Sequence, residues 1–184
     1  MDSKPTIVFI PGAWHSPDSF QLARDALQAR GWETEAVAFP TVGAEPPTKG
    51  VPDDAAAVRK VLETLAEQGK QIVLVVHSYG GVVGAQAVRG LGYKQRQKEG
   101  KTGGIITYLY LSAFVVPTGQ SLLKMLGGNW LPWMRVEVNS ATGAVIYRDH
   151  ANHQYRASAY LRTPRKKFST TICLPMRKKR QLTL

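Results

Sequence analysis

The sequence predicts an α/β fold, a mostly parallel sheet with flanking helices, and two stretches carry most of that prediction. Residues 71–81 (QIVLVVHSYGG) run a continuous apolar strand into a serine and then into a helix. Residues 7–15 (IVFIPGAWH) form another short apolar run, broken by Pro11 and Gly12. Runs of this kind suit strands buried on both faces, as in a parallel sheet covered by helices. Around them apolar residues recur at helical spacing, so strands and helices alternate.

The elements follow in order. Ser16 and Pro17 open a first helix in the N-cap and first-turn positions; Phe20, Ala23 and Leu27 share one face and Gly31 stops it. A second strand is expected over residues 34–39. A proline-rich loop, residues 40–52, leads to a second helix capped by Asp53 or Asp54, with Val58, Val61, Leu62 and Leu65 as its buried stripe and Gly69 at its end. The strand entering Ser78 comes next, then a helix over residues 79–89 that turns Val82, Val83 and Ala87 inward. Residues 94–104 read as a hydrophilic surface connection and residues 105–111 as a fourth strand. With no further strand beside it, that sheet has an uncovered apolar edge, so self-association through the edge is expected.

After Pro117 the periodicity fades. Leu122, Leu123, Met125, Leu126, Trp130, Leu131, Trp133 and Met134 form an apolar cluster broken by Gly127, Gly128 and Pro132. It suits a lid or substrate-binding wall as well as plain core packing.

Ser78 is the leading functional candidate. A serine between an apolar strand and a helix fits a nucleophile elbow, which exposes the hydroxyl at the carboxyl edge of a sheet and aims backbone N–H groups at an adjoining oxyanion. The usual pattern is G-x-S-x-G; here it reads Val76, His77, Ser78, Tyr79, Gly80, so a β-branched residue replaces the first glycine and must pack against the following helix. The alternative is a serine that only caps that helix. In a doubly wound sheet, the loop after the first strand lies beside the nucleophile strand, so the N–H groups of Ala13 and Tyr79 become the paired oxyanion donors. An ordinary strand-to-helix connection is the competing account of residues 11–15.

These motifs, IPGAWH, VHSYGG and YLSAFVVPTGQSL (residues 110–122), together resemble the α/β-hydrolase superfamily, above all the small esterase branch that includes plant methyl esterases and hydroxynitrile lyases and the related hydrolase-like proteins of fungi. The likeness covers roughly residues 4–150, and the three motifs in order are more specific than any one alone. It implies Ser78 as nucleophile, Ala13 and Tyr79 as oxyanion-hole residues, and a cap beginning within residues 117–148. It also implies further strands bearing a catalytic acid and histidine, and the chain is expected to end before reaching them.

Composition sets further bounds. With 184 residues, 43% of them hydrophobic, the chain suits one domain with a real core. The single cysteine, Cys173, excludes an internal disulfide. No secretory signal or stretch of about 20 apolar residues is visible, so a cytoplasmic protein without a membrane span is expected. The net charge of +11 is unevenly spread: residues 1–149 hold 15 Lys+Arg against all 13 Asp+Glu, whereas the last 35 residues hold 9 Lys+Arg and no acid. Residues 1–148 therefore read as the core with the start of a cap, and 149–184 as a basic divergent tail, in which residues 168–174 suit one more strand. The tail's basic clusters lack the interleaved aromatics of a nucleic-acid surface, so nucleic acid is not an expected partner.

A serine nucleophile needs a base, and the base an orienting acid. The four histidines are His15, His77, His150 and His153. His77 should point away from the serine, and His15 reads as a loop or pocket-rim residue. His150 or His153 serves as base only if the segment after the lid folds back over Ser78, and Asp149 is then the acid in Ser, Asp, His order. No metal-ligand spacing or phosphate loop occurs, so no cofactor or metal is expected. Two functions compete: a serine hydrolase acting on a small ester, lactone or thioester, and a catalytically incomplete α/β-hydrolase remnant, either a binding protein or a non-functional truncated product.

Overall fold

The computed structural model describes residues 4–45, 48–132, 134–138, 145–149 and 156–158. Thr6–Ile10 forms β1, Thr34–Ala36 β2, Gln71–Ser78 β3 and Gly104–Ala113 β4. They pair in parallel in the order β2-β1-β3-β4, with Ile7 opposite Val73 and Ile10 opposite Val76. Every residue of β1 is buried, as the unbroken apolar run requires.

Helices α2 (Val51–Glu67) and α3 (Gly80–Ala87) cover one face, where Val8, Ile10, Val58, Leu62, Leu74, Val76 and Val83 form the main core. The opposite face carries a smaller cluster of Ile7, Phe9, Phe20 and Val75 beside α1 (Gln21–Gln28). The expected α/β layering is therefore present: a parallel sheet with helices on both faces.

Several local expectations need correction. The first helix opens as a 3-10 turn, Pro17–Phe20, before α1. Phe20 is its anchor, 4.8 Å from the Phe9 ring, and Leu27 is half-buried, but Ala23 is exposed and Leu22 is 88% exposed. A helix of two turns pinned at its entry needs little of its own face. The second strand is shorter than expected, although Val37 N still donates to Phe9 O at 3.1 Å. Helix α2 starts earlier than the sequence suggests, behind Gly50, whose N–H donates to Asp53 Oδ2 at 2.8 Å. Asp53 thus reaches back to the helix entry, whereas Asp54 is no cap: it is fully buried.

Residues 94–104 are not a plain surface connection either. They hold most of α4 (Tyr93–Lys98), whose Arg96 is 4% exposed. Its guanidinium donates to the carbonyls of Ala66, Thr102 and Gly103 at 3.2–3.3 Å and pairs with Glu67 at 3.1 Å. That fork satisfies carbonyls at the end of α2 and the entry to β4, which a solvated loop would leave to water.

Among the described residues β4 is an edge strand, with Ile106, Leu109 and Leu111 between 41% and 47% exposed. Beyond it lie α5 (Leu122–Met125), whose Ser121 cap accepts from Lys124 N at 3.1 Å, and an antiparallel sheet of β5 (Met134–Val138), β6 (Val145–Asp149) and β7 (Arg156–Ser158). The hairpin is absent from the sequence expectations, although Met134, Val136 and Val138 alternate with Arg135 and Glu137, the period-2 signal of a strand. The strand expected at residues 168–174 lies outside the described residues. Among the described residues no helix is long and apolar enough to cross a membrane.

Arg96→Ala should cost about 3 kcal/mol in urea unfolding, because three carbonyls, two of them in buried contacts, lose their donor. Arg96→Lys should recover only part of it, since an ammonium lacks the planar fork.

Candidate active site

In an open parallel sheet, ligands collect at the carboxyl ends of the strands where strand order reverses. Here β2 and β3 flank β1 on opposite sides, which puts the crevice between the ends of β1 and β3. The backbone marks the same place. Among the described residues three non-glycine residues have positive φ: Trp14 at 64°, Ser78 at 50° and Ser112 at 46°. They sit at the carboxyl ends of β1, β3 and β4, and left-handed backbone in an L-residue costs about 1–2 kcal/mol. Such strain persists only where surrounding structure imposes it.

Close packing of α3 imposes it. A Cβ on Gly80 would lie 2.5 Å from Pro11 O and 2.7 Å from Ile10 O, and one on Gly81 would strike Phe114 O. The first turn of α3 therefore lies against the end of β1 and the chain leaving β4, and β3 must turn sharply at Ser78 to reach it. Phe114 N closes the other side, donating to Ser78 O at 3.1 Å. Val76, which replaces the pattern's first glycine, fits because Gly84 makes room: a Cβ there would stand 2.9 Å from Val76 Cγ1.

The loop after β1 comes over the serine. A Cβ on Gly12 would be 3.2 Å from Ser78 Cβ and 3.0 Å from His77 Nδ1. Gly12 thus lies against His77 and Ser78, with Ala13 the next residue along the loop and Tyr79 the next along the chain. Ser78, Ala13 and Tyr79 are all half-buried. Tyr79 stands at the entry to α3, where backbone N–H groups have no helical acceptor.

The histidines divide. His77 packs edge-on against Phe20 at 6.5 Å and His15 at 6.2 Å between ring centroids, on the α1 side of the sheet. Burial and then His15 hold its imidazole below the ordinary histidine range. His15 Nδ1 lies 2.7 Å from Ala13 O. Asp149 ends β6, opposite Met134. His150 and His153 lie outside the described residues. Among the described residues no group of three metal-ligating side chains is present.

A further cluster lies behind Ser78. Asp54 accepts from Thr41 N at 3.1 Å, Thr41 Oγ1 at 2.8 Å and the Tyr79 hydroxyl at 3.0 Å. Burial outweighs these bonds and pushes its carboxyl from 3.8 up to about 6. Burial and the Asp54 carboxylate push the Tyr79 phenol well above its usual range. The sequence carried a signal for this cluster: Asp54 is four residues before Val58 and so continues the buried stripe of α2.

Because folded Asp54 holds its proton more tightly than the unfolded chain does, folding stability falls as pH rises from about 3.8 through about 6. The loss is roughly 3 kcal/mol. Asp54→Asn should flatten that part of the profile, so its stability relative to the native chain should rise by up to about 3 kcal/mol between about pH 4 and about pH 7 in urea unfolding. An unchanged profile would remove Asp54 as its source.

Comparison with known proteins agrees with this architecture. The alpha/beta hydrolase family matches residues 7–175. Alpha/beta hydrolase nvfD of Aspergillus novofumigatus is 35% identical over 123 residues, covering 67% of this chain and 48% of that protein. A probable hydrolase of Phoma sp. is 30% identical over 129 residues, covering 68% of this chain and 49% of that protein. The chain thus spans about half the length of the curated relatives it matches. Among solved structures, polyneuridine aldehyde esterase superposes with a TM-score of 0.59 at 15% identity, covering 79% of this chain and 58% of that one. An extracellular alpha/beta-hydrolase from a Paenibacillus species gives 0.52 at 20% identity, covering 66% and 46%. These two likenesses speak to the fold, and with the family match and the fungal relatives they lead to one assignment: the chain belongs to the α/β-hydrolase family.

Proposed function

We propose that this chain is a serine hydrolase acting on a small ester, lactone or thioester, with Ser78 as nucleophile. The observation that carries the proposal is the left-handed Ser78, φ 50°, held between the Gly12 loop and the first turn of α3. In this scheme Ser78 Oγ attacks the acyl carbon and gives up its proton to a base. The N–H groups of Ala13 and Tyr79 receive the carbonyl oxygen as it becomes an oxyanion. The alcohol or thiol leaves with a proton, and water then releases the acid from Ser78. His150 or His153 is the base in this scheme, with Asp149 its acid.

The histidines favour a second reading, a catalytically incomplete family member that binds small molecules or has no function. His77 packs with Phe20 and His15 on the α1 side of the sheet, and His15 lies against Ala13 O. Without a base, Ser78 stays protonated and weakly nucleophilic.

Two measurements separate these readings. A fluorophosphonate probe with peptide mapping should label Ser78 and nothing else, and Ser78→Ala should abolish the label. A label on another serine that survives Ser78→Ala would overturn the assignment. With p-nitrophenyl acetate the catalytically incomplete reading gives slow turnover, about 10³–10⁴ over water, as serine proteases stripped of triad members retain, hardly altered by His150→Ala or His153→Ala. Turnover of roughly 1–10³ s⁻¹ lost in one of these variants would instead establish that histidine as a working base.

A further inference from the structure

Three donors converge on the Asp54 carboxylate. Thr41 supplies two, from N and Oγ1, and Tyr79 supplies the third from its hydroxyl. The donors come from separate parts of the chain: Thr41 from the loop after β2, and Tyr79 from the turn that enters α3. The Tyr79 ring is also held edge-on by Phe39, at 5.6 Å and 85°. Tyr79 directly follows Ser78, so the peptide joining them carries the Tyr79 N–H. A ring held by Phe39 and a hydroxyl held by Asp54 restrain the Tyr79 Cα, to which that peptide is attached.

We infer that Asp54 is a positioning residue: by gripping the Tyr79 hydroxyl from behind, it fixes the Ser78–Tyr79 peptide and the direction of the Tyr79 N–H. The inference rests on the hydrolase reading of Ser78 and deepens it, because a donor aids acyl transfer only if it is aimed before charge develops.

The grip depends on ionisation. A carboxylate only accepts, which matches three donors, whereas the protonated acid brings a hydrogen of its own and one hydroxyl on Oδ2 has to turn away. The groups facing Asp54 are Thr41 from the β2–α2 loop and Tyr79 from the α3 turn; Asp53, on its own helix, is the charged neighbour. The grip is therefore firm above about pH 6 and slackens below it.

The test has two arms on the full chain. In the first, the protein is labelled with ¹⁵N-tyrosine and the Tyr79 amide signal is identified by its loss in Tyr79→Phe. That signal should shift with a midpoint near pH 6 in the native chain and stay flat in Asp54→Asn. In the second, the fluorophosphonate labelling rate of Ser78 is followed against pH. Asp54→Asn should label about 10-fold more slowly at alkaline pH and lose the step near pH 6. Tyr79→Phe should match it, and the double variant should be no slower than either single one, because both remove the same contact. If Asp54→Asn does not fold, Tyr79→Phe, which deletes only the hydroxyl, carries the labelling arm alone.

A Tyr79 amide indifferent to pH in the native chain overturns the inference, as does labelling of Asp54→Asn or Tyr79→Phe at the native rate and with the native pH profile. If the amide follows Asp54 while native Ser78 takes no probe, the positioning of the peptide stands and the hydrolase reading falls.

Discussion

The contact that the rest of the site depends on is the approach of the first turn of α3 to the end of β1. Gly80 lies so close to Pro11 O and Ile10 O that a Cβ would stand 2.5 Å and 2.7 Å from them. A chain leaving β3 reaches that position only by reversing at once, so Ser78 takes the left-handed backbone. The cost, about 1–2 kcal/mol, is small beside what the same packing secures. Ile10, Val76 and Val83 are all completely buried around the turn. A side chain of this size contributes about 1.5–3 kcal/mol on full burial. The sheet and helix core therefore outweighs the strain, and the strained serine follows from packing rather than from any preference of its own.

Two buried charges extend that core in opposite ways. Arg96 spreads its charge over three carbonyls and Glu67, joining the end of α2 to the start of β4. Asp54 receives three good hydrogen bonds and still has its carboxyl pushed upward, because burial outweighs them. An apolar residue at position 54 would avoid that desolvation but leave Thr41 N, Thr41 Oγ1 and the Tyr79 hydroxyl without their shared acceptor. The carboxylate thus opposes folding near neutral pH while fixing the residue beside Ser78. That combination is expected where placement of a group matters more than stability.

The parts of the fold legible in the sequence were those set by continuous burial. Residues 7–10 and 71–78 could be assigned to strands because β-branched and aliphatic residues fill both faces, and α2 because its stripe is regular. What stayed hidden were decisions made by distant neighbours. Asp54 follows Asp53 at a helix start, where either carboxylate suits a cap; its place four residues before Val58 marks it as inward-facing, but its partners Thr41 and Tyr79 are distant in sequence. Arg96 sits in a stretch of lysines, glutamines and glycines that reads as solvated, and only the carbonyls of Ala66, Thr102 and Gly103 draw it inward. The turn at Ser78 was legible because strand, serine and small residues are contiguous, whereas Gly84 as the answer to Val76 needed the helix laid on the strand.

The same division between near and far contacts bears on chemistry. In the proposed scheme the nucleophile and both oxyanion donors come from the ends of β1 and β3, strands that pair directly, so this short sheet builds them without help. A proton acceptor is different, since β3 turns His77 toward Phe20 and the loop after β1 holds His15 at Ala13 O. In the proposed scheme a base arrives over the carboxyl edge of the sheet from a segment later in the chain. In the proposed scheme the oxyanion-binding half of the site therefore follows from the packing of four strands and their helices. The proton-handling half is a separate requirement, and Ser78 rises above background reactivity only when both halves meet.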